Sequence, residues 1–211
     1  MDHMIEGVLK FRSEIFPQRK ALFEELSTGQ SPEVLMITCA DSRVDPGLVT
    51  QSQPGELFTC RNAGNIVPPW SRADESNTAS IEYAVTVLGV SEIVVCGHSD
   101  CGAMKGALAP ESVAALPQVA GWLENSRAAV AAARSRHPDL EGEALLRAVT
   151  EENVLLQLQH LRTHPAVAAV LASGKVRLHG WIYDIGAGDI LAHNPDTGRF
   201  ESLTAISAAA A

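Results

Sequence analysis

Ile93-Val94-Val95-Cys96-Gly97-His98-Ser99-Asp100-Cys101-Gly102 is a short apolar run that ends on a glycine and opens at once into a polar, sulfur-bearing loop. A run of this length reads as a strand buried on both faces, the kind found in parallel sheets. The same pattern stands upstream, where Val34 to Thr38 runs into Cys39-Ala40-Asp41-Ser42-Arg43. Between the two, Thr78 to Leu88 predicts a helix, with Ile81, Ala84, Val85 and Leu88 on one face and Gly89 as its stop. Strand, helix, strand is the unit from which parallel α/β sheets are built.

Working outward, Glu56 to Cys60 predicts another strand, opened by the Pro54-Gly55 turn. Lys175 to Tyr183 predicts a further strand, and Asp189 to His193 an edge strand after the Gly186–Gly188 turn. Val113 to Arg136, with Pro117 near its start, and Glu143 to Leu161 read as long helical segments rich in alanine and leucine. At the amino end, Ile5 to Leu26 predicts a helical arm interrupted at Pro17, followed by a loop from Ser27 to Pro32. Ala208 to Ala211 predicts a frayed end. Neither an internal repeat nor a linker divides the chain, so residues 1–211 read as a single α/β domain. Its central sheet is mostly parallel and flanked by helices, with residues 1–26 as an amino-terminal helical arm.

The 211 residues suffice for one sizeable core, and 46% hydrophobic against 19% charged residues is globular composition. A formal net charge of −9 disfavours nucleic acid and anionic membrane as partners, both of which require a basic face. No apolar run approaches the roughly 20 residues that span a bilayer. Met1 to Lys10 lacks the basic and apolar regions of an export signal, so the expected compartment is the cytoplasm. In a reducing compartment, Cys39, Cys60, Cys96 and Cys101 are better read as ligands or packing groups than as disulfides.

Groups just beyond the carboxyl ends of strands line the binding crevice of an open α/β sheet. If the two strands are neighbours, Cys39 meets His98 and Cys101, a soft ligand set suited to zinc with a fourth position left for water. Either motif alone is weak, since an isolated buried cysteine is mostly packing. Together they are stronger, because both follow apolar strands and both carry charged neighbours. A redox role for Cys39 and Cys101 is disfavoured by the lack of a Cys-x-x-Cys pair, and Cys60 and Cys96 read as packing. Asp41 and Arg43, two residues apart after a strand, can set a carboxylate toward the metal with a guanidinium clamping it. A cation that close lowers a carboxylate pKa by ~1–3 units. Asp100 reads equally as a proton relay or as a helix cap.

These segments resemble the β-class carbonic anhydrases, whose signatures are Cys-x-Asp-x-Arg and a later His-x-x-Cys. The likeness extends to Gly55-Glu56-Leu57-Phe58, Arg61-Asn62-Ala63-Gly64-Asn65, Ser80-Ile81-Glu82-Tyr83-Ala84-Val85 and Leu178-His179-Gly180-Trp181, in family order. The resemblance implies one zinc ion per subunit on Cys39, His98 and Cys101, and reversible hydration of carbon dioxide to bicarbonate by zinc-bound hydroxide. It assigns Asp41 as acceptor of the hydroxide's hydrogen bond, with Arg43 orienting it. It also assigns Gln30, nine positions before Cys39, as a donor to substrate; in plant-type members that pocket is built across a dimer interface, so Gln30 would serve a neighbour's zinc. Phe58, Ala63 and Tyr83 become apolar pocket lining, and Gly102 offers a backbone N–H. A second variety of the family, whose aspartate closes the fourth zinc position, carries a Trp three residues before the first Cys. Here that position is Met36, which favours the open, plant-like variety. The resemblance further implies a homodimer or homotetramer, with the amino-terminal arm as a dimer contact. Relatives on the same scaffold hydrolyse carbon disulfide or carbonyl sulfide, and a non-catalytic zinc-stabilised assembly protein is the reading from another class.

Overall fold

The structure, a computed structural model, describes residues 1–72 and 75–204; the expected frayed end at Ala208–Ala211 lies outside them. The chain divides into two units, Met1–Ser31 and the remainder from Pro32. In the first, α1 (Asp2–Lys10) passes through a π-helical turn (Phe11–Ile15) and a 3-10 turn (Phe16–Arg19) into α2 (Lys20–Leu26). The interruption falls at Pro17 as expected, because proline has no N–H to give to the helix ladder. The rings of Phe11, Phe16 and Phe23 cluster, with centroids 5.4 to 6.2 Å apart. No residue of these four elements is buried, and Met4, Ile5, Val8 and Leu9 are left exposed.

The second unit is built on a six-stranded sheet in the order β2-β1-β3-β4-β5-β6. Its strands are β1 (Val34–Cys39), β2 (Leu57–Asn62), β3 (Glu92–His98), β4 (Arg177–Asp184), β5 (Asp189–Asn194) and β6 (Arg199–Ser202). The first four are parallel and the last two antiparallel. The strand at Asp189 therefore has a neighbour on each side and is not the edge. Gly198, at φ 69°, closes a tight turn through its N–H to the Asn194 carbonyl and brings β6 alongside. Four residues in β6 were too few to register as a periodic pattern in the sequence.

Period-two alternation sorts the core. Leu35, Ile37, Ile93 and Val95 face one way, toward Val154 and Leu161, while Met36, Val94 and Cys96 face the other beside Trp181 and Tyr183. The long helix α8 (Gly142–Thr163) lies close against β3 and β4 because two strand positions are glycine. A Cβ at Gly97 would stand 3.0 Å from Val154, and one at Gly180 would stand 2.9 Å from it. Cys60 and Cys96 are buried. Burial pushes the Cys96 thiol up to about 12, as expected of a packing residue.

The helix expected over Val113–Arg136 is broken into a 3-10 turn (Pro110–Val113), α6 (Pro117–Leu123), a second 3-10 turn (Glu124–Ser126) and α7 (Arg127–Arg136). Pro117 can only start a helix, and Ser126 is fully buried with its hydroxyl donating to Asn153 Oδ1, which fixes a non-helical backbone there. Short helices α3 (Pro46–Thr50), α4 (Glu75–Tyr83), α5 (Gly102–Leu108) and α9 (Pro165–Ala172) complete the unit. A π-helical turn, Ala84–Leu88, carries α4 to Gly89 at φ 68°, the left-handed stop the sequence pointed to. Among the described residues no helix is long and apolar enough to cross a membrane.

Candidate metal centre

Strands β1 and β3 pair in parallel, Thr38 opposite Cys96, so their carboxyl ends open on the same side. Cys39 ends β1, His98 ends β3, and Cys101 precedes α5 at the close of a short loop. Their ligand atoms all lie within 4.8 Å of one another, and all three residues are buried. His98 is fully buried, with Nδ1 2.9 Å from the Ser99 carbonyl oxygen. A carbonyl only accepts, so Nδ1 carries the proton and Nε2 keeps its lone pair. That Nε2 has no hydrogen-bond partner among the described residues. Leaving such an atom buried and unpaired costs about 1–3 kcal/mol, unless something fills the position. A zinc ion fits it.

The two sulfurs act as one group. Cys39 is pushed down to about 4, first by its hydrogen bond from Cys101, then, against the cost of burial, by His98 and by the Gly64 N–H at 3.3 Å. Cys101 is pushed up, because its proton is held by Cys39 and because it is buried. With Cys39 favoured as the thiolate and Cys101 as the thiol, a divalent cation bound there would displace the remaining proton and be held by two thiolates and an imidazole.

Beside the trio, Asp41 Oδ2 stands 3.8 Å from His98 Nε2. Arg43 grips this carboxylate with Nε on Oδ1 at 2.9 Å and Nη2 on Oδ2 at 2.8 Å, and its backbone N–H adds a third bond at 3.0 Å. The fork holds Asp41 well below the usual carboxylate range and Arg43 above its own. Asp100 makes no capping bond to α5; it pairs instead with Arg43 and Lys105. Arg61 clasps the same loop through the carbonyls of Cys39, at 3.0 Å, and Asp41, at 2.8 Å.

The expected pocket residues divide. Ala63 precedes Gly64, whose N–H reaches Cys39, and its carbonyl is anchored by Trp122 Nε1 at 2.8 Å. Gly102 follows Cys101 directly. Phe58 and Tyr83 come together, ring centroids 6.0 Å apart, but Phe58 pairs with Leu35, four positions before Cys39. That is roughly 13 Å along the strand, at about 3.3 Å per residue. Gln30 is exposed in the first unit. Arg61 and Gly64 support the centre directly although neither was singled out for chemistry; both fall in the Arg61–Asn65 block. Trp122 and Asn153, which donates to the Gly64 carbonyl at 3.1 Å, carried no local signal at all.

A buried Cys-His-Cys trio at the mouth of a parallel sheet, facing a clamped carboxylate, defines an α/β metalloenzyme of the hydrolytic or hydrating kind. Residues 34–190 match the family described as carbonic anhydrase. The carbonic anhydrase of Pseudomonas aeruginosa is 50% identical over 203 residues, 96% of this chain and 92% of that protein. Carbonic anhydrase 1 of Escherichia coli O157:H7 is 47% identical over 206 residues, covering 97% and 93%. Among solved structures, the β-carbonic anhydrase CcaA superposes with a TM-score of 0.94 at 46% identity, over 96% of this chain and 98% of that one. One of the tetrameric β-carbonic anhydrases of Sordaria macrospora gives 0.79 at 31% identity, over 90% and 95%. The chain belongs to the β class of carbonic anhydrases, and its activity is the zinc-dependent hydration of carbon dioxide. Neither the carbon disulfide or carbonyl sulfide reading nor the assembly reading is favoured by these likenesses.

Proposed function

We propose that Cys39, His98 and Cys101 hold one zinc ion per subunit, and that Asp41 and Arg43 orient the reacting water for attack on carbon dioxide. The observation that carries this is the orphaned, fully buried Nε2 of His98, with the buried sulfurs of Cys39 and Cys101 within 4.8 Å of it. When bound, zinc supplies a Lewis acid that brings the pKa of water from about 15.7 toward neutrality. Asp41, kept ionised by the Arg43 fork, can only accept; it takes the O–H hydrogen bond and leaves the oxygen lone pair free for the carbon. The Gly102 N–H donates to a substrate oxygen, where charge develops as bicarbonate forms. Carbon dioxide and water yield bicarbonate and one proton, which passes to solvent buffer.

Gln30, Phe58 and Tyr83 fit this scheme as residues lent to the pocket of a partner subunit. The run of strand between Phe58 and Cys39 supports that reading, as does the exposed apolar arm, Met4, Ile5, Val8 and Leu9, which requires a cover. Tetrameric relatives support a homodimer or homotetramer. That no disulfide joins the four cysteines among the described residues fits the reducing cytoplasm. Stopped-flow hydration of carbon dioxide across pH, on the zinc-loaded protein, its chelated form and Cys39→Ser, tests the proposal. Loss of hydration in the latter two is expected; full hydration in metal-free protein overturns it.

A further inference from the structure

Asp41 Oδ2 lies only 3.8 Å from His98 Nε2, the atom that offers its lone pair to the metal. An ionised carboxylate at that distance is itself a competent fourth ligand for zinc. Whether it orients water or displaces it depends on what holds it back. Arg43 holds it back, so the question becomes what holds Arg43.

The guanidinium is held by the other ligand loop. While Nε and Nη2 take Asp41, Nη1 donates to Asp100 Oδ2 at 3.0 Å and Nη2 also donates to the Asp100 carbonyl at 3.2 Å. Lys105, one turn into α5, fixes the remaining oxygen of Asp100 by an ion pair. Asp100 itself stands at φ 57°, a left-handed backbone uncommon outside glycine, asparagine and aspartate, and this conformation directs both its carbonyl and its side chain at Arg43. Arg43 thus bridges the Cys39–Arg43 loop and the His98–Cys101 loop.

We propose that Asp100 is a positioning residue that latches Arg43, and through it keeps the Asp41 carboxylate on the guanidinium and off the metal. This rests on the zinc reading above. Arg43 and Asp100 are 44% and 55% exposed, so their pairing adds little to folding stability. Its effect is on the direction in which Asp41 points. The charged groups facing Asp100 are Arg43 and Lys105; Asp41 faces the charged Arg43 and the titratable ring of His98.

Two substitutions separate side chain from backbone. Asp100→Asn keeps an acceptor for Arg43 Nη1, and Asp100→Gly removes it; both residues tolerate positive φ. Freed from its latch, Asp41 competes with water for the open position. Hydroxide activity rises tenfold per pH unit while the carboxylate is constant, so the competitor loses ground as pH rises. For zinc-loaded Asp100→Gly, the midpoint of the kcat/KM profile should move about one pH unit to the alkaline side, a tenfold gain in the closed arrangement. Its high-pH plateau should stay within a few-fold of the parent, and Asp100→Asn should track the parent. Crystals of zinc-loaded Asp100→Gly grown below that midpoint should show the Asp41 carboxylate off Arg43 and on the metal. Zinc content and Tm of both variants check that each is folded and loaded. An unmoved midpoint in Asp100→Gly, an equal shift in Asp100→Asn, or Asp41 still on Arg43 in those crystals overturns the latch. A parent protein that neither holds zinc nor hydrates carbon dioxide would overturn the reading beneath it instead.

Discussion

Replacing Gly64 with alanine tests whether the Cys39 sulfur is placed by the loop that faces it as well as by its own strand. Gly64 stands at φ 82°, a left-handed conformation that costs an L side chain about 1–2 kcal/mol. A Cβ there would meet Ala103 Cβ at 2.9 Å and Met104 Cε at 3.1 Å. The methionine end can swing aside. The Ala103 carbon is fixed to the backbone of α5, so the 62–66 loop or the helix must move. Overpacking of this kind costs about 1–3 kcal/mol, which with the backbone cost makes about 2–5 kcal/mol in all. Gly89 separates the two contributions. It has φ 68° and nothing within 4 Å of a built Cβ, so Gly89→Ala should lose only the backbone part, about 1–2 kcal/mol. Displacing the 62–66 loop also withdraws the Gly64 N–H from Cys39, one of the groups that favours its thiolate. Urea unfolding of the zinc-loaded variants at fixed protein and zinc concentration reads the first effect, and zinc loss to a competing chelator reads the second. Gly64→Ala should fall below Gly89→Ala in stability and release zinc at lower chelator. Equal stability losses with equal zinc retention would refute both the steric argument and the role of the N–H···S bond.

Arg43→Lys keeps the charge but cannot span Asp41 and Asp100 with one fork, so hydration should fall at least about tenfold, one charge-assisted hydrogen bond's worth. Zinc content should be unchanged, and stopped-flow rates beside metal analysis check both. Glu92 is held low by the Arg177 guanidinium and next by His179. The folded state therefore binds the proton less tightly than the unfolded one, and this stabilisation is fully present above the ordinary value of 4.5 and lost as pH falls through the lowered one. Glu92→Gln should accordingly lower the urea midpoint at neutral pH, and the gap to the parent should shrink steadily as the pH is taken below 4.5; a gap that stays the same size across that range would refute the assignment.

The strands, the principal helices and the zinc ligands were legible along the chain because each is written in local pattern. Val34–Thr38 and Ile93–Cys96 are apolar runs long enough to be strands, and both stop where sulfur and charge begin. The breaks in Val113–Arg136 were less legible. Pro117 was visible, but Ser126 ends its turn only because Asn153, in a helix distant along the chain, accepts its hydroxyl. β6 was missed because its four residues are too few to set a period, and its existence depends on β5 being there to pair with.

What the sequence by itself determined is the inventory of the centre: two cysteines, a histidine, an aspartate and an arginine, each just past a strand. Spacing along a chain cannot say which strands are neighbours, so the meeting of Cys39 with His98 and Cys101 waited on the β1–β3 pairing. Nor can it say which of two carboxylates an arginine will hold. Asp100, read from the chain as a relay or a cap, became the second anchor of Arg43 only when the two loops closed on each other. Such assignments belong to tertiary structure because a hydrogen bond across 57 residues depends on where the sheet puts its ends.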